Sequence, residues 1–174
     1  MRVTRCLLGA LLGAVTLVAL NCGEPTPVGV DTAAPPSRGD LTLGALPSGL
    51  LQCSSLPSAS VTQTIGPEGG TLQVGPHTLS VPPGALAAPV NITAVATSDT
   101  VNRVEFQPAG LTFGQPAALT MSYANCGPLG SLLPKRIAYT TDVLAILEYL
   151  PSVDDPQAWE VTGRVEHFST YAVA

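Results

Sequence analysis

Between Ile65 and Tyr123 the chain reads I-G-P-E-G-G-T-L-Q-V-G-P-H-T-L-S-V-P-P-G-A-L and then, further on, V-E-F-Q-P-A-G-L-T-F-G-Q-P-A-A-L-T-M-S-Y. Apolar residues alternate with polar ones in runs of four to eight, and Gly- and Pro-bearing turns separate the runs. Side chains that alternate with period two face opposite sides of an extended backbone, so each run buries one face only and must share a core with others. The runs are Val61 to Ile65, Thr71 to Val74, His77 to Val81, Val90 to Thr97, Val101 to Gln107, the stretch carrying Ala117, Leu119, Met121 and Tyr123, Ile137 to Thr140, Leu144 to Leu150 and Trp159 to Ala174. In the run ending at Gln107, Val104 and Phe106 point inward. The D-V-L-A-I-L-E-Y-L stretch fits a short helix as well as a strand. Eight or nine short strands over this length predict an all-β fold, an antiparallel β-sandwich forming a single domain.

All eight aromatic residues fall at or after Phe106, which places the packed core in the C-terminal two-thirds. From residue 22 to about residue 60 the chain is rich in Pro, Gly, Ser and Thr and has no aromatic residue. Such a composition buries too little apolar surface to offset the entropy of ordering, which predicts a disordered tether over 22–60 and a domain over 61–174.

Residues 1–21 read as a targeting segment. Arg2 and Arg5 precede an uncharged apolar stretch from Leu7 to Leu20 that is short for a membrane span and suits an export signal. The V-A-L-N-C that closes it resembles the processing site of bacterial lipoproteins, which implies a lipidated Cys22 as the mature N-terminus. Asn21 is bulkier than the small residue usual just before the Cys. The alternative on the same residues is an ordinary signal peptide with Cys22 incidental. Acyl chains contribute about 0.8 kcal/mol per buried methylene, so two or three would hold the protein on a membrane.

After the leader, five cations (Arg38, Arg103, Lys135, Arg136 and Arg164) stand against twelve carboxylates, which leaves −7. Scattered cations make no stripe for a phosphate backbone, so nucleic acid is not an expected partner. Of the four cysteines, Cys6 departs with the leader and Cys22 is the anchor. Cys53 and Cys126 remain, and in an exported protein they are expected to form a disulfide. Neither lies in a C-x-x-C arrangement. With only His77 and His167 as histidines, and with Asp154-Asp155 reading as a solvated turn, no metal and no cofactor are expected.

Four motifs occur in a fixed order: G-G-T-L at Gly69 to Leu72, P-P-G-A-L at Pro82 to Leu86, G-L-T-F at Gly110 to Phe113, and Pro116-x-x-Leu119. Together with the closing His167-Phe168-Ser169 they resemble the ZU5 domain, a β-sandwich of ankyrins, netrin receptors and death-domain adaptors, over about Val61 to Ala174. The resemblance implies a ZU5-like sandwich acting as an interaction or scaffolding module, with no shared cofactor or substrate. Neither a partner sandwich nor a death domain is expected after it.

In a subset of ZU5 proteins H-F-S is a site of self-cleavage. Carried over by position, Ser169 is the nucleophile and His167 its base. The Phe168-Ser169 bond is then opened through an N-to-O acyl shift. Such chemistry needs a distorted peptide. Val161 and Val165 share parity along the last run whereas Phe168 does not, so a bulge is expected between Val165 and Phe168 if all three face the core. The bland alternative is a strand end with Phe168 in the core and Ser169 paired to backbone.

The residues together predict a non-catalytic module, exported and held at the cell envelope through lipidated Cys22, that binds or scaffolds an envelope protein or glycan. The alternative is the same fold cleaving itself once.

Overall fold

The computed structural model describes residues 49–127 and 133–174. The leader, Cys22 and the tether as far as residue 48 lie outside the described residues.

The described chain is all-β, without helices. Its strands are β1 (Ala59–Ile65), β2 (Gly70–Val74), β3 (His77–Val81), β4 (Val90–Ala96), β5 (Arg103–Gln107), β6 (Thr112–Ser122), β7 (Ile137–Thr140), β8 (Ile146–Tyr149), β9 (Ser152–Asp155), β10 (Glu160–His167) and β11 (Thr170–Val173). They form two antiparallel sheets, one in the order β1-β4-β5-β11-β7-β8 and the other β2-β3-β6-β10-β9. The expected sandwich is therefore present.

Alternation along each strand sets the core. In the five-stranded sheet Leu72, Leu79, Leu119 and Gly163 lie opposite one another across four strands, and the three leucines are fully buried. In the facing sheet the register aligns Ala59, Ala96, Val104, Tyr171, Tyr139 and Glu148. That inner row runs from apolar to charged: Val104 and Tyr171 are fully buried, Tyr139 is half-buried and Glu148 is exposed. The sandwich is closed where β1 and β2 meet and opens at the other side, between β8 and β10.

The G-G-T-L and P-P-G-A-L motifs prove to be two halves of one structure. Gly69 has φ +77° and a Cβ there would collide with the Val81 carbonyl oxygen and the Pro82-Pro83 backbone. Gly84 N–H donates to the Pro67 carbonyl at 2.8 Å. Only a residue without a side chain lets the two turns approach so closely.

Three expectations need correction and one open reading is decided. The domain begins upstream of Val61, because Leu50, Leu51 and Cys53 are buried. Of the D-V-L-A-I-L-E-Y-L stretch, which fitted either state, Ile146–Tyr149 form strand β8 and the residues before it a turn. Leu144 takes φ 62° and its N–H donates to the Thr141 carbonyl, which makes a tight turn from β7 into β8. Asp154-Asp155 belongs to a strand, β9, that the sequence reading placed in a turn. The single run expected from Trp159 to Ala174 is two strands in different sheets, β10 and β11, with Phe168 and Ser169 carrying the chain across.

Among the described residues, Thr140 Oγ1 is the one buried side-chain polar atom without a hydrogen-bond partner. An orphaned hydroxyl loses its water and gains nothing in return. Thr140→Val keeps the shape and removes that loss, so the urea midpoint is expected to rise, by about 1 kcal/mol in stability.

Candidate functional site

The crossing from β10 to β11 holds the H-F-S residues, and local parity dictates its form. Val161, Gly163 and Val165 face the core while Arg164 and Glu166 are exposed. The β10–β6 register then slips between Val165 and His167, from Ala117 to Thr112 as partners. The irregularity falls where the parity break calls for one, but its extra residues lie on β6, which takes five steps from Ala117 to Thr112 while β10 takes two. Phe168, at 1% exposure, enters the core where the chain leaves β10 for β11. Phe168 stacks on Phe106 at 5.2 Å and meets Phe113 edge-on at 5.0 Å.

The backbone around the Phe168-Ser169 bond is held at every turn. Phe168 N–H donates to the Leu111 carbonyl at 2.7 Å, and Gly110 N–H donates to the Phe168 carbonyl at 3.0 Å. Phe106 N–H donates to the Ser169 carbonyl at 3.1 Å. Neither Phe168 nor Ser169 has a positive φ. The His167 ring lies edge-on to Tyr139 at 5.0 Å, and its Nδ1 is 3.5 Å from the Tyr171 hydroxyl. That hydroxyl donates to the His167 carbonyl at 2.5 Å. Among the described residues no hydrogen bond joins the His167 ring to Ser169. Burial pushes the Tyr171 phenol far above its usual range, helped by the nearby Tyr139, Glu148 and Glu166. The site thus has a polarised Phe168 carbonyl and a serine beside it, with the imidazole turned toward Tyr171.

His167 also separates two concavities. One, about 390 Å³, is bounded by Glu148, Leu150, Pro151, Arg164, Glu166, His167 and Tyr171. The other, about 410 Å³, lies toward Thr112, Phe113, Gly114 and Pro116. Around the first, neither carboxylate nor the Arg164 guanidinium has an ion-pair partner among the described residues.

Cys53 and Cys126 are joined in a disulfide across an antiparallel bridge. Beside it Asn102 and Asn125 exchange amide hydrogen bonds at 2.7 and 3.0 Å, and Ser54 N–H donates to the Asn125 carbonyl at 2.9 Å. Among the described residues no three His, Cys, Asp or Glu side chains are grouped to hold a metal ion. His77 is buried in β3, where its Nδ1 accepts from Ser122 N–H at 3.2 Å.

One constellation escaped the sequence reading. Tyr123 donates its hydroxyl hydrogen to Asp154 Oδ1 at 2.7 Å, and Lys135 N–H donates to Asp154 Oδ2 at 3.0 Å. Lys135 is buried, with its amine donating to the Leu133 carbonyl. Burial pushes that amine below its usual range, against the pull of Asp154. The carboxylate so pins β6, β9 and the start of β7, and Asp155 Oδ1 accepts from Gln157 and Ala158 N–H in the turn that follows. No sequence signal marks these partners, which come together only through the fold.

Neither the models of known protein families nor the curated proteins contain a match to this chain.

Proposed function

We propose that the chain is a non-catalytic binding or scaffolding module on a ZU5-like sandwich. In this reading it is exported and held at the cell envelope by lipidated Cys22, with an envelope protein or glycan as partner. One observation carries the binding role. The described large hydrophobic side chains that stand exposed, Leu133, Val143, Leu147, Tyr149 and Val153, all fall between residues 133 and 153. Leu147 and Tyr149 lie on edge strand β8, Val143 in the turn before it and Val153 on edge strand β9, where a monomer gains nothing by exposing them. The anchor and export rest on Arg2, Arg5, the apolar Leu7 to Leu20 stretch and V-A-L-N-C.

A second reading, self-cleavage at Phe168-Ser169, is favoured by one contact. Gly110 N–H already donates to the carbonyl that Ser169 Oγ would attack, where negative charge would develop. The released S-T-Y-A-V-A would be β11, held between β5 and β7, so a cleaved chain would stay assembled until denatured.

Intact mass of the membrane-extracted protein under denaturing conditions tests both. A single acylated species running from Cys22 to Ala174 is the expected result. An unacylated chain would remove the anchor, and loss of the last six residues would replace the first reading by the second.

A further inference from the structure

The open side of the sandwich combines three features that appear together nowhere else among the described residues. First, β8 is the terminal strand of its sheet among the described residues, so one side of its backbone has no ladder partner there, and its pairing with β7 is bulged at Leu147. Second, its flank carries exposed apolar side chains, Leu147 at 55%, Tyr149 at 39% with the Arg136 guanidinium 4.1 Å from its ring centre, and Val143 in the preceding turn at 86%. Third, the inward side chain of β8, Glu148, lines the cavity of about 390 Å³ together with Glu166, His167 and Tyr171. An edge with these properties is a template for another extended chain.

Charge selects the occupant. From Gly49 onward nine carboxylates oppose four cations. At the cavity Glu148 and Glu166 lack ion-pair partners and outnumber Arg164. A like-charged strand entering here would be repelled, whereas a cation would be drawn in. A second copy of this chain would bring its own Glu148 to the same edge, which disfavours self-pairing.

We propose that β8 is the docking edge for an extended basic peptide segment of a partner protein. The segment adds as a seventh strand beside β8 and sets a lysine or arginine side chain in the cavity between Glu148 and Glu166. Its apolar side chains pack beside Leu147, at the β8 bulge, and Tyr149, next to the Arg136 guanidinium. This rests on the binding-module reading and names the chemical class of the partner.

The full mature chain is titrated with a synthetic heptapeptide of alternating Thr and Val carrying a central Lys, and with its Glu counterpart, while amide hydrogen exchange is followed by mass spectrometry. The Lys peptide is expected to protect Ile146 to Tyr149 selectively. Its affinity is expected to fall about fivefold in Glu148→Gln and to weaken as salt rises, as screening of a partly exposed pair requires. The Glu peptide is expected to bind at least about tenfold more weakly. Thermal melting of Glu148→Gln, expected unchanged, shows that the loss is not unfolding. No protection at β8, or equal binding of the two peptides, overturns the inference, as does a dimer by sedimentation that buries β8. With an acylated chain confirmed by mass, any of these outcomes removes the peptide edge and leaves the envelope role standing.

Discussion

Removing the Cys53–Cys126 bridge is expected to lower the unfolding free energy by about 4 kcal/mol, the chain-entropy value for a closed loop of this length. The bridge spans 73 residues, from the segment before β1 to the turn after β6. Without it the unfolded ensemble regains the freedom of that whole loop. Part of the native structure around the bridge survives its loss. The Asn102–Asn125 amide pair remains, as does the Cys53 N–H bond to the Thr100 carbonyl at 2.9 Å. Folding to the same sandwich is therefore expected in Cys53→Ser/Cys126→Ser, at lower stability and with a steeper urea dependence, because its unfolded chain exposes more surface. Alkylation of the unfolded, unreduced protein followed by peptide mapping checks the premise, with neither cysteine labelled. Equal urea midpoints for the oxidised protein and the double variant would show that the bridge does not constrain the unfolded state.

What could be read from the residues alone follows from where the information sits. His77 to Val81 coincides with β3 because period-two alternation is a local signal and Gly75-Pro76 and Pro82 bound the strand, while Ile137 to Thr140 coincides with β7 as a short β-prone run behind the charged Lys135-Arg136. The irregularity before Phe168 was legible because a change of parity can be counted along the chain, but that its extra residues lie on the partner strand β6 was not. Strand β9 was not. Val153-Asp154-Asp155 has the composition of a turn, and it pairs as a strand because Asp154 finds Tyr123 and Lys135, 31 and 19 residues away. Leu50 to Cys53 was hidden by its neighbours: a stretch without aromatics reads as spacer, yet Leu50 packs with Val101, Ala138 and Ala172. The cavity by β8 was equally out of reach. Its lining comes from residues 148–171 on three strands of two sheets, and no motif spans them. The H-F-S motif lay at the other extreme, since its three residues are adjacent. The direction of the His167 ring was still invisible, because Tyr139 and Tyr171 set it.

Acidification from pH 7 to pH 5 is expected to cost about 2 kcal/mol of stability through one residue, His77, and about 3 kcal/mol by pH 4. His77 is 2% exposed, and burial pushes its imidazole down to about 4 from the ordinary 6.5. Its Nδ1 accepts a hydrogen from Ser122 N–H at 3.2 Å, one step past the end of the β3–β6 ladder at Thr78 and Thr120. Protonation would turn that acceptor into a donor facing another donor and place an uncompensated charge among core leucines. The direction follows from proton binding. Between pH 6.5 and about 4 the unfolded chain holds a proton on this histidine and the folded chain does not. Stability is therefore fully present above pH 6.5 and is lost as the pH falls through that window. In His77→Asn the side-chain oxygen can take over from Nδ1 without titrating. Urea unfolding at pH 7 and pH 5 then separates this residue from the carboxylates: the variant is expected to be less stable than the parent at pH 7 and to lose about 2 kcal/mol less on acidification. Parallel losses in both proteins would mean that His77 is charged in the folded state, and the packing around β3 and β6 would have to accommodate a cation.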